Sequence, residues 1–246
     1  FLATEIGKKR EALNFLNDII VLLQKEGNSR QLFTTIANKA VLHAQLNEKT
    51  ETFKALDELA KFPQFQLYAS TFLTVCIELE ENDRAWNEIQ NWLEQDLLSA
   101  RAQHIRTAHL FFQAAIVAFK KKEFKWAEKF TFKIIQEFPQ NEGLHLLSIT
   151  HLFYLVIQIE LKNERFMPYA LRNVQRFLQT RHRQFEPEKK LLQFVNELLK
   201  KRKSIGALSP WQWLSQELQK LKSSDPRFFS YFNFLEWAES KILRGI

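Results

Sequence analysis

Residues 109 to 139 read HLFFQAAIVAFKKKEFKWAEKFTFKIIQEFP. Apolar residues recur at three- and four-residue intervals on both sides of a break at Lys120, Lys121 and Lys122, which is the helical period read twice. The spacing predicts two helices joined by a tight turn, the second closed at Pro139, where a ring without an N–H cannot continue the ladder. Taken locally, Ala118 to Phe130 mimics a nucleic-acid surface, with five lysines interleaved with Phe119, Phe124, Trp126 and Phe130. As one turn of a repetitive helical scaffold, the same stretch would instead commit its rings to packing.

The same period extends outward. Leu13, Leu16, Ile20 and Leu23 form a stripe ending at Gly27, a natural helix stop. Ser29 is a candidate cap for the next helix, which carries Leu32, Ile36, Lys39 and Leu42. Further breaks fall near Asn47, Pro63, Asn82, Ser99, Asn163, Pro187, Ser209 and Asp225. Ser209-Pro210 and Asp225-Pro226 place a capping side chain before a proline at the first helical position. Only 5 glycines and 6 prolines occur in 246 residues, too few turn formers for a β-rich fold. About twelve helices and no strand are expected. The tight interhelix points Asn47, Asn82, Glu123 and Asn163 lie 35, 41 and 40 residues apart, a recurrence typical of helical repeat arrays, in which stacked helix pairs share one core.

On these residues the stretch 109–139 resembles a tetratricopeptide repeat. Ala115 and Ala127 occupy the small positions where the two helices of that motif cross. Phe119 and Phe124 match the aromatics flanking its turn, and Pro139 matches its closing proline. Ala118 stands where the motif usually has tyrosine, and Lys122 replaces the turn glycine. Glu80 to Ala85 and Leu161 to Arg165 resemble the same turn, and Pro63 closes an earlier unit. The resemblance covers about residues 29 to 180. It implies an all-α, right-handed superhelix of antiparallel helix pairs, one repeat domain over residues 1–246. Within it, 1–28 is the second helix of a truncated repeat, 29–186 the repeats, and 187–246 a degenerate repeat and C-terminal cap. The start at Phe1 reads as a piece of a longer protein.

Composition narrows the function classes. With 46% hydrophobic and 26% charged residues, the chain is globular in type. The lone Cys76 sits in the apolar run Phe72 to Ile77 and reads as a buried thiol; one cysteine cannot form an internal disulfide, so a reducing, cytoplasmic setting is expected. The longest apolar stretch, Leu146 to Ile159, is interrupted by polar residues and too short to span a bilayer. No two of the six histidines, His43, His104, His109, His145, His151 and His182, stand three or four apart, and no glycine-rich phosphate loop occurs. Glu80, Glu81 and Asp83 fit a helix start. No enzyme, metal or cofactor is expected.

Two surfaces are candidates for binding. Residues 162–203 hold twelve Lys and Arg against four Glu, an excess of eight, leaving the rest of the +7 chain at −1. There Arg165, Arg172, Arg176 and Arg183 project within about 40° of one another on one helix at 100° per residue, opposite Phe166, Ala170, Val174 and Phe177. Guanidinium groups so placed suit phosphate or acidic partners, so a nucleic-acid partner through 162–203 is one alternative to a protein-binding scaffold or regulatory module, and a ligand-sensing module of a multidomain regulator is another. Lys200, Lys201, Arg202 and Lys203 read as a helix end favoured by its dipole. The other surface follows from the resemblance, which implies a concave groove for a protein or peptide. Its lining would be Thr34, Ala37, Asn38, Val41 and Gln45; then Ser70, Thr74 and Glu78; then His109, Phe112, Gln113, Ile116 and Lys120; then Leu152 and Val156. Few of these are basic, so a hydrophobic or mixed peptide, or the chain's own last helices, fits better than a terminal carboxylate. At the C-terminus Phe228, Phe232, Leu235 and Ile242 form an inward stripe that leaves Phe234 and Trp237 pointing elsewhere. Trp211 and Trp213 likewise face different ways.

Overall fold

The computed structural model describes residues 2–139, 141–183, 185–201 and 204–243, with side chains from residue 6 onward. Every regular element among them is helical: α1 (Leu2–Glu26), α2 (Ser29–Gln45), α3 (Lys49–Leu59), α4 (Phe65–Glu78), α5 (Asn82–Glu94), α6 (Ile105–Lys120), α7 (Phe124–Glu137), α8 (Leu144–Glu160), α9 (Met167–Thr180), α10 (Glu186–Leu199), α11 (Pro210–Leu221), α12 (Pro226–Phe229) and α13 (Phe234–Leu243). Ile205 and Leu208 form an isolated antiparallel bridge. The all-α class is as expected. No helix among the described residues is long and apolar enough to cross a membrane.

The helix ends explain how so few glycines suffice. Gly27 turns left-handed after α1, but Asn47, Glu80, Asp96, Lys122, Lys162, His182 and Lys201 adopt positive φ without being glycine. After several of them the next amide reaches the carbonyl five residues back: Glu48 to His43 at 2.9 Å, Glu81 to Cys76 at 2.8 Å, Leu97 to Trp92 at 2.9 Å, Asn163 to Gln158 at 3.2 Å and Arg183 to Leu178 at 2.8 Å. That closure satisfies orphan carbonyls of the last turn, while each left-handed residue with a Cβ costs on the order of 1 kcal/mol. At helix starts, Ser209 and Gln212 form a reciprocal capping box. The cap of α2 is Asn28, whose side chain accepts from the Gln31 amide at 3.2 Å, rather than Ser29, the first helical residue. Asp225 makes no side-chain cap bond.

The chain divides into two compact units, Phe1–Lys122 and Glu123–Ile246. The division falls in the turn of the 109–139 stretch, so α6 closes the first unit and α7 opens the second. In the first unit α2 packs on α1, α3 and α4, and α4 packs on α3, α5 and α6. The core between them holds Phe33, Ile36 and Ala40 of α2, Leu56 of α3, and Phe72, Leu73 and Cys76 of α4. Of the expected α2 stripe only Ile36 is buried; the helix turns Phe33, Ala40 and Ala44 inward instead. Trp92 of α5 meets Phe65 and Phe72 edge-on at 5.4 and 5.8 Å. Arg84 of α5 covers the Phe53 ring of α3 at 3.7 Å.

In the second unit α8 packs on α7, α9 and α10, and α10 also packs on α9 and α11. Thirteen consecutive residues of α8, Leu146 to Gln158, are buried. Its hydroxyls turn back on the helix, Thr150 to the Leu146 carbonyl and Ser148 to that of Leu144, both at 2.7 Å. Phe234 and Trp237, expected to point away, are 0% and 5% exposed. The reason is a break: α12 stops at Phe229 and α13 begins at Phe234, so no single helical phase runs from Phe228 to Ile242. Phe228 and Phe232 each lie 4.9 Å from Phe234. Trp237 meets Trp211 at 5.1 Å and Phe194 at 6.1 Å, edge-on. Trp211 is buried and Trp213 half-buried.

Candidate functional site

Helices α2, α4 and α6 carry most of the expected groove residues, and α4 packs against both of the others. The fold joins three of these residues across long sequence separations. Ser70 Oγ donates to Gln113 Oε1 at 2.8 Å, and Gln113 Nε2 donates to Thr74 Oγ1 at 2.5 Å. Thr74 Oγ1 donates in turn to the Ser70 carbonyl at 2.9 Å. The Gln113 amide is therefore held in one orientation by two partners on the neighbouring helix, with all three side chains half-buried. Both of its polar atoms keep hydrogen-bonding capacity beyond these bonds. His109 lies one turn before Gln113 and is half-buried; burial lowers its pKa and keeps the ring neutral near pH 7.

Asn38, Gln45, Glu78 and Lys120 are exposed, as is Thr34, while Val41 and Ala37 are half-buried. Phe112 and Ile116 are different: they are 1% and 5% exposed and present no surface. The projection assumed one lining stripe on α6, but ten of its residues from Thr107 to Ala118 are buried, so the helix has core contacts on most sides. Leu152 and Val156 are fully buried in α8 for the same reason.

The arginine stripe is reshaped by its helix ends. The helix α9 spans only Met167–Thr180, so Arg165 precedes it and Arg183 follows the left-handed His182. Arg172 and Arg176 remain on the helix, and with Arg165 they are exposed. Ala170 and Val174 are buried opposite, with Phe166 and Phe177 half-buried. Arg183 leaves the stripe altogether: its Nη2 donates to His145 Nδ1 at 3.0 Å and its guanidinium lies 4.7 Å from the Phe185 ring centre. Further on, Lys200 pairs with Glu197 at 3.2 Å and Lys201 with Glu164 at 3.3 Å. Arg202 and Lys203 lie outside the described residues.

Cys76 is fully buried, and burial pushes its thiol up to about 12, so it is inert as a nucleophile. Among the described residues no three His, Cys, Asp or Glu come together as a metal site.

One arrangement has no counterpart in the sequence reading. In the second unit a cavity of about 420 Å³ is lined by His145 of α8, Arg183 and Phe185 before α10, Glu188 of α10, and Ser224, Asp225, Pro226, Arg227 and Phe228 around α12. Glu188 is 2% exposed. Its Oε2, and Arg183 Nε, are buried without a hydrogen-bond partner among the described residues. Burial pushes the Glu188 carboxyl up to about 7, against the pull of its own backbone amide and Arg183, with Asp225 raising it further. Burial and the Arg183 charge lower the His145 pKa. Because Nδ1 accepts from Arg183, the neutral ring carries its proton on Nε2. Tyr231 closes edge-on against this ring at 5.3 Å. The signal was weak in sequence because Glu188 occupies the first turn of a proline-started helix, where an exposed carboxylate is ordinary.

No family model matches the sequence, and neither a curated protein nor a solved structure shows significant similarity to it.

Proposed function

We propose that the chain is a non-catalytic binding module, a tetratricopeptide-like superhelix of helix pairs that holds a protein or peptide on the α2, α4 and α6 face. The observation that carries this reading is the ladder from Ser70 through Gln113 to Thr74. An amide locked between two helices is preorganised, so bonding a partner's backbone costs it little rotamer entropy. On the same three helices Asn38, Gln45, Glu78 and Lys120 add exposed polar groups, two of them of opposite charge, which suits a mixed peptide better than a terminal carboxylate. The left-handed ends of the even-numbered helices α2 to α10 support the repeat: Asn47, Glu80, Lys122, Lys162 and Lys201 recur at 33, 42, 40 and 39 residues, with Asp96 and His182 taking the same conformation after α5 and α9. A cytoplasmic setting belongs to the same reading and rests on the lone buried thiol, Cys76.

Peptide display against the immobilised whole chain tests the proposal. Selected peptides should lose about tenfold affinity, near 1.4 kcal/mol, with Gln113→Ala and none with Lys25→Ala, an exposed residue distant in sequence. Peptides indifferent to Gln113, or none selected, would sink the groove reading. The alternative partner is nucleic acid on segment 162–203, favoured by the exposed Arg165, Arg172 and Arg176. It requires binding that weakens steeply with salt as counterions are released and that falls with Arg172→Ala plus Arg176→Ala.

A further inference from the structure

We propose that the cavity between α8, α10 and α12 is a binding site for a small zwitterion of the free amino-acid kind. Its carboxylate would lie on the Arg183 and Arg227 guanidinium groups and its ammonium on the Glu188 carboxylate. This site is separate from the α2, α4 and α6 face and stands or falls without it.

Three observations carry the assignment. First, the cavity has an unmet donor and an unmet acceptor at once: Arg183 Nε and Glu188 Oε2 are both buried and without partners among the described residues. A buried ionisable side chain with an unused oxygen is costly and calls for a complementary group. Second, the lining carries both charges, Arg183 and Arg227 against Glu188 and Asp225. A simple anion would face two carboxylates and a simple cation two guanidinium groups; a zwitterion meets each with its opposite. Third, the site is built in advance. His145 and Phe185 fix the Arg183 side chain, while Phe185, Pro226 and Phe228 supply an apolar wall for a side chain. The cavity, about 420 Å³, lies within the roughly 300–1,000 Å³ usual for small-ligand sites.

Binding an ammonium requires Glu188 ionised. The charged and titratable groups facing it are Arg183, Arg227, Asp225 and His145, whose ring burial and the Arg183 charge hold neutral. With Glu188 titrating at about 7, affinity should rise from about pH 6 to about pH 8, with proton release.

Isothermal titration of the whole chain with the common free amino acids, at about pH 8, is the test. At least one should bind with a Kd below about 1 mM. Its N-acetyl derivative and its carboxamide, each lacking one charge, should bind about tenfold more weakly or worse. Glu188→Gln and Arg183→Lys should weaken the free amino acid by at least a comparable factor while far-ultraviolet dichroism stays unchanged. Should Arg183→Lys fail to fold, Glu188→Gln decides alone. No heat from any amino acid up to about 10 mM overturns the proposal. So does inorganic phosphate or methylammonium binding as tightly, or full affinity in Glu188→Gln.

Discussion

Lys241 reaches the Glu160 carboxylate at 2.6 Å across 81 residues of sequence, with side chains only 8% and 10% exposed. Trp237 Nε1 donates to the same carboxylate at 2.7 Å. One acidic side chain at the end of α8 thus holds two residues of α13, and the aromatic cluster of Trp237, Trp211 and Phe194 closes over the joint. The bonded carboxylate lets a lysine and an indole N–H be buried in that cluster without an orphaned polar group.

Glu160→Ala would strand the Lys241 ammonium. Loss of one partner of a buried pair costs about 3–5 kcal/mol, which chemical denaturation monitored by circular dichroism can read. The double change Glu160→Leu with Lys241→Met should recover only part of that loss: no buried charge is left uncompensated, but the Trp237 N–H still lacks its acceptor, which costs about 1–3 kcal/mol. A single variant as stable as the parent would show that the pair is hydrated in solution.

The left-handed helix ends give a prediction of opposite sign. Lys122 and Lys162 hold φ of +63° and +53° and are exposed. Lys122→Gly and Lys162→Gly remove the Cβ strain, less the extra entropy of glycine in the unfolded chain, so each should stabilise by about 0.5–1 kcal/mol. Asn47→Gly should gain less, since asparagine tolerates this region. Urea midpoints measure all three, and destabilisation by both lysine variants would contradict the account.

Two buried groups of the second unit should oppose each other in pH. His151, 8% exposed and stacked on Phe177 at 4.1 Å, is pushed by burial from 6.5 down to about 4. The unfolded chain binds its proton first, so its stabilisation is full above 6.5 and lost as pH falls toward 4. Glu188 is raised by burial from 4.5 to about 7. The folded chain binds that proton more tightly, so its contribution is full below 4.5 and lost as pH rises through 7. Each span is worth up to about 3 kcal/mol, and the slopes offset between about pH 4.5 and pH 6.5. Glu188→Gln should expose the acid-side loss caused by His151 and be more stable than the parent at about pH 8. His151→Phe should show stability falling from acid toward neutral pH. Thermal melts across this range would refute the pairing if both variants tracked the parent.

Cys76 offers a reporter for the first unit. With the thiol fully buried and pushed up to about 12, a thiol reagent should label it only through opening of the helices around α4. Labelling should be slow in buffer, complete in denaturant, and faster when Leu73→Ala removes neighbouring core volume, a change worth about 2–5 kcal/mol. Rapid labelling of the folded chain would place the thiol at the surface.

How far the sequence went follows from where the interactions lie. Helix positions were legible because helical bonds span four residues: the breaks at Gly27, Pro139 and Ser209-Pro210 sit where the structure ends or starts helices. The burial of Cys76 was legible for the same reason, as part of a local apolar run. Two kinds of error arose: Phe112, Ile116, Leu152 and Val156 lie in helices buried on most sides, where one lining stripe cannot be singled out, and elsewhere one helical phase was carried past a helix end. Arg183 looked like a fourth stripe residue and instead bonds His145; Phe234 and Trp237 looked outward-facing and are buried.

In the 109–139 stretch, local periodicity determined two helices and a turn at Lys122, because apolar spacing and backbone bonds are properties of neighbouring residues. What each side chain does was decided by segments far away. Gln113 takes its orientation from Ser70 and Thr74, 43 and 39 residues before it. Glu188, an ordinary helix-start carboxylate in sequence, becomes a buried acid, one oxygen of which has no partner among the described residues, because the α12 region encloses it. Burial and partners depend on packing between distant segments, and a single sequence read locally holds no record of which ones will meet.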